Sequence, residues 1–276
     1  MHDLSPGPHR ARKRFGQNFL VDTNVIQLIA KSVNAKADES LVEIGPGQGA
    51  LTALLLNTCP TLQAVELDRD LVPILNAHFA ADYPDFTIHQ ADALKFDFSE
   101  LARNGKGAKL RVVGNLPYNI STPLMFKLLG YDNLVEDMHF MLQKEVVDRL
   151  AASPGAKLYG RLGVMAQYAC RVEHLFDVAP GSFRPIPKVN SAIVKLVPYT
   201  ELPHKADNPQ LFEQLVRLGF QQRRKTMRNA LKTLVKGLNI EALDVDLSLR
   251  AETLSVANFV NLSNQINQQL CLTESE

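Results

Sequence analysis

The stretch Leu41-Val42-Glu43-Ile44-Gly45-Pro46-Gly47-Gln48-Gly49 decides which fold this 276-residue chain can adopt. A short apolar run opens here into a turn with glycine at every second position, and residues 50–56 then have the composition of a helix. Glycine allows a tight turn and a close approach of the backbone to a ligand, because it has no Cβ. A strand, a glycine turn and a helix in this order predict a ligand site at the carboxyl end of a parallel strand.

The pattern on both sides of this stretch predicts an α/β domain over residues 1–199. Short β-rich runs alternate with amphipathic segments, as expected where crossover helices join parallel strands. Asp22 is expected to cap the first helix, which has an apolar face from Val25 to Val33. Five strands are predicted at 41–44, 62–66, 86–90, 111–114 and 137–142, and two more, at 171–178 and 192–197, would close the sheet as an antiparallel pair.

A second, small domain is predicted over residues 200–276. Pro198, Pro203 and the polar residues between them have the composition of a linker, and the β pattern ends there. Asn208-Pro209 predicts a helix start, with asparagine as the cap and proline in the first helical position. Further helical spacing covers 225–235 and 256–270, the latter with Ser255 as its cap. We therefore expect this domain to be all-helical.

Composition excludes several classes of protein. A hydrophobic fraction of 46% and a charged fraction of 21% are ordinary for a globular protein, and no apolar run is long enough to span a membrane. The N-terminal region lacks the apolar core of a signal sequence. The three cysteines are far apart and the seven histidines are not closely paired, so we expect neither disulfides nor a metal site. A cytoplasmic protein is predicted.

The distribution of charge is more informative than the net charge of +1. Residues 217–236 contain seven basic side chains and no acid, and a second basic cluster ends at Arg14. A solvated helix face would explain the first block alone, but two positive clusters favour a polyanionic partner. The residues expected to bind it are Arg12, Lys13, Arg14, Arg223, Arg224, Lys225 and Arg228.

Acidic residues beside the glycine turn indicate the kind of cofactor. Glu66 ends the next strand, where it would accept hydrogen bonds from two ribose hydroxyls, and both a dinucleotide and S-adenosylmethionine predict such a residue. Glu43, inside the strand before the glycines, suits a positively charged sulfonium or amino group better than a pyrophosphate. Asp92, after the third strand, is well placed to bind an adenine amino group. We therefore favour S-adenosylmethionine, and a dinucleotide remains the alternative.

Asn115-Leu116-Pro117-Tyr118 follows the fourth strand and predicts a site for a planar amine. The lone pair of an amino group on a purine is delocalised, so the nitrogen is a poor nucleophile. The Asn115 side-chain oxygen and the Leu116 carbonyl would accept hydrogen bonds from both amino protons and turn the lone pair towards the methyl donor. Pro117 stiffens the loop, and Tyr118 would stack on the base. Phe183, in a proline-rich loop, is the candidate for the second face of the base, with a position in the core as its alternative.

Four motifs then resemble the ribosomal RNA adenine dimethyltransferases, most closely the bacterial small-subunit branch. They are Lys13-Arg14-Phe15-Gly16-Gln17-Asn18-Phe19-Leu20, Glu43-Ile44-Gly45-Pro46-Gly47-Gln48-Gly49, Asn115-Leu116-Pro117-Tyr118-Asn119-Ile120-Ser121 and Phe183-Arg184-Pro185-Ile186-Pro187-Lys188-Val189-Asn190-Ser191-Ala192. The resemblance implies a class I, Rossmann-like methyltransferase domain with a helical C-terminal domain.

The same resemblance implies dimethylation of two adjacent adenosines near the 3′ end of small-subunit RNA. We expect the substrate to be this RNA within a pre-assembled small subunit, and the protein to be a monomer. The cofactor residues it implies, together with those already derived, are Gln17, Asn18, Leu20, Glu43, Gly45, Gly47, Glu66, Leu67, Asp92, Ala93 and Asn115. The alternatives are a large-subunit RNA methyltransferase, a DNA adenine methyltransferase, a catalytically idle RNA-binding protein and a nicotinamide-dependent reductase.

Overall fold

Strands and helices alternate through most of the chain. A computed structural model describes residues 17–103, 109–131, 133–222 and 224–273. Its strands are β1 (Phe19–Leu20), β2 (Ser40–Ile44), β3 (Gln63–Glu66), β4 (Thr87–Gln90), β5 (Leu110–Asn115), β6 (Val135–Gln143), β7 (Cys170–Val178), β8 (Phe183–Arg184) and β9 (Ser191–Pro198). Its α-helices are α1 (Thr23–Val33), α2 (Ala50–Leu56), α3 (Leu71–Phe79), α4 (Ser99–Arg103), α5 (Ser121–Leu129), α6 (Lys144–Leu150), α7 (Arg161–Ala169), α8 (Pro209–Gln221), α9 (Met227–Ala230) and α10 (Val256–Thr273).

The main sheet has seven strands in the order β4-β3-β2-β5-β6-β9-β7. Each adjacent pair among β4, β3, β2, β5 and β6 is parallel, and β9 is antiparallel to β6. The predicted α/β fold with a mostly parallel sheet is confirmed. The chain order reverses between β2 and β5, and a ligand site in such sheets lies at the carboxyl ends of the strands beside this reversal.

The register of the central strands brings three distant residues to the same edge of the sheet. Ile44 on β2 is opposite Val65 on β3 and opposite Gly114 on β5. The residue that follows each of these three in the chain therefore lies at the carboxyl edge of the sheet, and these neighbouring residues are Gly45, Glu66 and Asn115. The glycine turn, the acidic residue of the next strand and the first residue of the Asn-Leu-Pro-Tyr loop therefore meet because of strand pairing alone.

The chain divides into two units by its internal contacts. The first takes in Met1–Val147 and Glu173–Pro198, and the second Asp148–Val172 and Tyr199–Glu276. Residues 148–172 were predicted to belong to the first domain. Tyr159 and Val164 from this segment instead belong to the core of the second unit, where the Tyr159 hydroxyl donates to the Leu254 carbonyl at 2.9 Å. The functional division between residues 1–199 and 200–276 stays a prediction.

Capping residues predicted from the sequence begin three of the helices, α1, α8 and α10. The Asp22 carboxylate accepts from the backbone of α1, the Asn208 side chain from Leu211, and the Ser255 hydroxyl from Asn258, as predicted. A helix over 225–235 was wrong, since α9 is limited to Met227–Ala230. The amides of Met227 and Arg228, at its start, donate to the Leu249 and Leu247 carbonyls, a pairing between distant segments that local spacing does not reveal.

Candidate active site

A cleft of about 220 Å³ lies at the carboxyl edge of the sheet in the first unit. It contains every predicted cofactor residue except Leu20 and Glu43, and every predicted catalytic residue. Its lining residues are Gln17, Asn18, Phe19, Ile44, Gly45, Gly47, Val65, Glu66, Leu67, Ala91, Asp92, Ala93, Leu94, Asn115, Leu116, Pro117, Tyr118, Asn119, Ile120 and Phe183. Neither lysine nor arginine is among these described residues.

The glycine turn is held against Glu66. Gly45, Gly47 and Gly49 have φ values of 67°, 59° and 84°, a conformation that other residues adopt only with strain. One Glu66 oxygen accepts from the Gly47 amide at 3.3 Å, and the other accepts from the Asp68 amide at 2.7 Å. Burial raises the pKa of Glu66. Each carboxylate oxygen can accept a further hydrogen bond, so this side chain is oriented in advance for a donor in the cleft.

Asp92 lies in a turn that forms another wall of the cleft. Its side chain is half-buried, and Oδ1 accepts from the Leu94 amide at 3.0 Å. Its backbone carbonyl accepts from the amides of Lys95 and Phe96 at 2.8 and 2.9 Å. These bonds fix the turn, and they leave the carboxylate capacity to accept from an amino group in the cleft.

The orientation of the Asn115 side chain is set by a backbone carbonyl. Nδ2 donates to the Asn18 carbonyl oxygen at 3.1 Å. A carbonyl oxygen only accepts, so the amide nitrogen must face Asn18 and Oδ1 must face away from it. Leu116 is buried, and its amide donates to the Met141 carbonyl at 3.2 Å. The loop is thus anchored at both residues that were expected to accept hydrogen bonds from the amine.

The two aromatic residues differ in their exposure. Tyr118 is half-buried, with its hydroxyl 3.4 Å from the Ser191 hydroxyl and its carbonyl accepting from Ser121. Phe183 is only 2% exposed and is opposite Leu20 in the β1–β8 pair, although it also lines the cleft. Phe183 therefore has the core position that was its alternative, and the stacking of a base on either ring stays a prediction.

Leu20 and Glu43 line a smaller cavity of about 60 Å³ rather than the cleft. Glu43 is 3% exposed and accepts from the Thr52 hydroxyl at 2.6 Å. Burial raises the pKa of Glu43 to about 7. His139, which the sequence analysis did not single out, lines the same cavity, and burial lowers its pKa to about 4. The two cavities have four lining residues in common: Phe19, Gly45, Gly47 and Asn115.

The basic residues expected to bind a polyanion are only partly within the described ranges. Arg224, Lys225 and Arg228 are exposed, and Arg228 forms an ion pair with Glu241 at 3.1 Å. Four of them lie outside the described residues: Arg12, Lys13, Arg14 and Arg223. The part of the chain that the structure describes contains no group of three or more side chains suited to a metal ion, and no helix long and apolar enough to cross a membrane.

Two supporting residues of the cleft were missed by the sequence analysis. Asp68 accepts from the Gln17 side chain at 3.1 Å, and Lys127 donates to the turn that carries Asp92. Asp68 lies two residues after Glu66, so its place in the sequence indicates a position near the cleft. Lys127 gave none, because its partners are brought to it by the tertiary fold.

Comparison with known proteins identifies relatives over nearly the whole chain. The family model described as "Ribosomal RNA adenine dimethylase" matches residues 8–268. The Ribosomal RNA small subunit methyltransferase A of Saccharophagus degradans is 61% identical over 258 residues, which cover 94% of this chain and 95% of that protein. The protein of the same name from Pseudomonas aeruginosa is 58% identical over 258 residues, with 94% and 95% covered.

Solved structures show the same fold. A dimethyladenosine transferase from Plasmodium falciparum has a TM-score of 0.76 and 26% identity, and the match covers 91% of this chain and 98% of that one. The 23S rRNA methyltransferase ErmE has a TM-score of 0.73 and 22% identity, with 91% and 100% covered. The second of these supports the fold alone.

Proposed function

Because the chain belongs to the ribosomal RNA adenine dimethylase family, we propose that it dimethylates N6 of two adjacent adenosines near the 3′ end of 16S ribosomal RNA. It is an S-adenosylmethionine-dependent methyltransferase of small-subunit ribosomal RNA. We further propose that it acts as a cytoplasmic monomer on a pre-assembled subunit, and that this methylation is part of subunit biogenesis.

The residues of the cleft fit S-adenosylmethionine. The lining has two carboxylates, Glu66 and Asp92, and no basic side chain among the described residues, which suits a cationic ligand better than a pyrophosphate. Glu66 would hold the ribose hydroxyls, Asp92 the adenine amino group, and the backbone of Gly45 and Gly47 would lie against the ligand. When bound, the cofactor supplies a methyl group that is activated on a positively charged sulfur.

The orientation of Asn115 is the observation on which the proposed chemistry rests. Its Nδ2 is fixed on the Asn18 carbonyl, and no described residue donates to its Oδ1. The neighbouring Leu116 carbonyl is not used where the loop enters α5, since the Ile120 and Leu124 amides donate to the Pro117 and Ile120 carbonyls. Two acceptors in one rigid loop would hold both protons of an adenine amino group. The nitrogen lone pair would then be directed towards the cofactor, which favours in-line transfer by positioning rather than by a strong base.

Asn115→Ala tests this role. We expect methyl transfer to fall by at least 100-fold, because the amine loses the group that orients it, while the affinity for S-adenosylmethionine changes much less. Transfer is measured by mass spectrometry of RNA from small subunits that lack the modification, and cofactor affinity by calorimetry. Asn261→Ala, an exposed asparagine on α10, is the matched control. Unchanged transfer by Asn115→Ala would refute the assignment of this loop.

A further inference from the structure

The ammonium group of Lys127 is coordinated by the turn that follows Asp92. Lys127 lies in the last turn of α5, and its Nζ donates to the Ala93 carbonyl at 3.3 Å, the Leu94 carbonyl at 3.0 Å and the Phe96 carbonyl. It also lies 5.5 Å from the centroid of the Phe98 ring. An ammonium group has three donors, so this turn uses all of them.

Two of the three carbonyls, those of Ala93 and Leu94, belong to residues that line the cleft at the proposed adenine site, and the third belongs to Phe96 in the same turn. Asp92, Ala93 and Leu94 all line the cleft. The turn that they form is closed by hydrogen bonds from the backbone amides of Leu94, Lys95 and Phe96 to Asp92. Carbonyl oxygens that point to one spot repel one another, and a cation between them removes that repulsion. Burial lowers the pKa of Lys127, and the nearby carboxylates of Asp97 and Asp92 oppose this effect.

The same helix begins at the loop that would hold the target amine. The amide of Leu124, in the first turns of α5, donates to the Ile120 carbonyl at 2.9 Å, and Ile120 lines the cleft beside Asn115. One end of α5 therefore carries the acceptor loop and the other end carries the cation that holds the Asp92 turn.

We propose that Lys127 is a positioning residue that holds the carboxylate of Asp92 in place for the adenine amino group of the cofactor. The inference rests on the proposed function, because it takes Asp92 to be the adenine-binding residue. Lys127 does not contact the cofactor itself, since its donors are occupied by backbone carbonyls. Its loss should therefore weaken recognition of the adenine amino group and spare the other parts of the ligand.

A pair of ligands separates this role from a general loss of structure. S-adenosylhomocysteine carries the adenine amino group, and S-inosylhomocysteine has an oxygen in its place. We expect Lys127→Met to weaken binding of S-adenosylhomocysteine roughly tenfold, as lost hydrogen bonds to a charged group commonly do, and to leave binding of S-inosylhomocysteine nearly unchanged. In turnover, KM for S-adenosylmethionine should rise while kcat at saturating cofactor stays near that of the wild type. Lys127→Arg keeps the positive charge and should restore part of the preference for S-adenosylhomocysteine over S-inosylhomocysteine.

Two further variants complete the experiment. Lys95→Met removes the same charge from an exposed lysine of the same turn and should leave the preference intact. Asp92→Ala should abolish the preference; if it does not, the adenine assignment of the proposed function fails and the role of Lys127 with it. If Asp92→Ala abolishes the preference but Lys127→Met weakens both ligands equally, or neither, the positioning role alone is refuted. Lys127→Gln replaces Lys127→Met if thermal melting shows that the latter is unfolded.

Discussion

Glu43 is an acidic side chain buried within a strand, and its ionisation opposes folding. It is 3% exposed, its main partner is the Thr52 hydroxyl at 2.6 Å, and burial raises its pKa to about 7. A carboxyl group with a pKa above its unfolded value of 4.5 favours the folded state most below pH 4.5. That stabilisation is lost as the pH rises through about 7.

Glu43→Gln should remove this dependence on pH. A shift of one pKa unit corresponds to about 1.36 kcal/mol, so the variant should gain up to about 3 kcal/mol in free energy of unfolding relative to the wild type between pH 4.5 and 8. Urea unfolding at several pH values measures the difference, with Glu136→Gln, an exposed strand residue, as the control. Parallel curves for Glu43→Gln and the wild type would show that the buried carboxyl does not titrate in this range.

The position of Glu43 shows where inference from the sequence was incomplete. This acidic residue precedes the glycine turn in the sequence and was predicted to bind the cofactor. Side chains along a strand alternate between the two faces of a sheet, so Glu43 leaves the sheet on the face that α2 covers and reaches Thr52. Gly45, by contrast, directly follows the last residue of the strand and lines the cleft. The sequence shows that an acidic residue precedes the glycine turn. The face of the sheet to which the Glu43 side chain points is known only from the fold.

At the scale of elements, β2 and β5 approach each other closely beside the active site. A Cβ added at Gly114 would lie 2.6 Å from the Ile44 carbonyl oxygen and 3.0 Å from the Leu116 side chain. The carbonyl belongs to the central strand and cannot move without disturbing its pairing with both neighbours. Glycine at this position therefore keeps Asn115 beside the glycine turn.

Gly114→Ala should destabilise the protein by roughly 1–3 kcal/mol, the usual cost of overpacking a core, and should also lower methyl transfer because Asn115 follows it directly. Urea unfolding and the transfer assay report the two effects. The control is Gly181→Ala, since nothing lies within 4 Å of a Cβ at that site. If Gly114→Ala had the stability and methyl transfer of the wild type, β2 and β5 would have to move apart around the added methyl group at no cost in free energy.

Elements whose signals are local were predicted well. The seven strands of the main sheet and the caps at Asp22, Asn208 and Ser255 follow from periodicity and from capping chemistry within a few residues. The segment 148–172, the short α9 and the partners of Lys127 depend on residues far away in the chain. Their burial and hydrogen bonds arise only once the sheet and the second core exist.

At the scale of the whole molecule, an almost neutral net charge conceals an uneven distribution. The chain has 30 basic and 29 acidic residues, yet 217–236 contains basic residues and no acid. Arg224 and Lys225 are exposed in the second unit. Their side chains are therefore accessible either to solvent alone or to the phosphates of a bound RNA. A charge that contacts phosphate makes binding depend on salt, because counterions are released.

Reversing both charges, in Arg224→Glu with Lys225→Glu, distinguishes these two roles. We expect the affinity for unmodified small subunits to fall more than tenfold at low salt, and the slope of log affinity against log salt to fall by about 2, since two phosphate contacts are lost. Affinity for S-adenosylmethionine should not change, because every residue of the cleft belongs to the first unit. Filter binding at a series of salt concentrations gives both the affinity and its salt dependence, on naked 16S RNA and on subunits.

The matched control is Lys31→Glu with Lys36→Glu, which reverses the charges of two exposed lysines of the first unit. An equal loss in this control would assign the effect to net charge, and no loss in the test variant would make the basic block a solvated face.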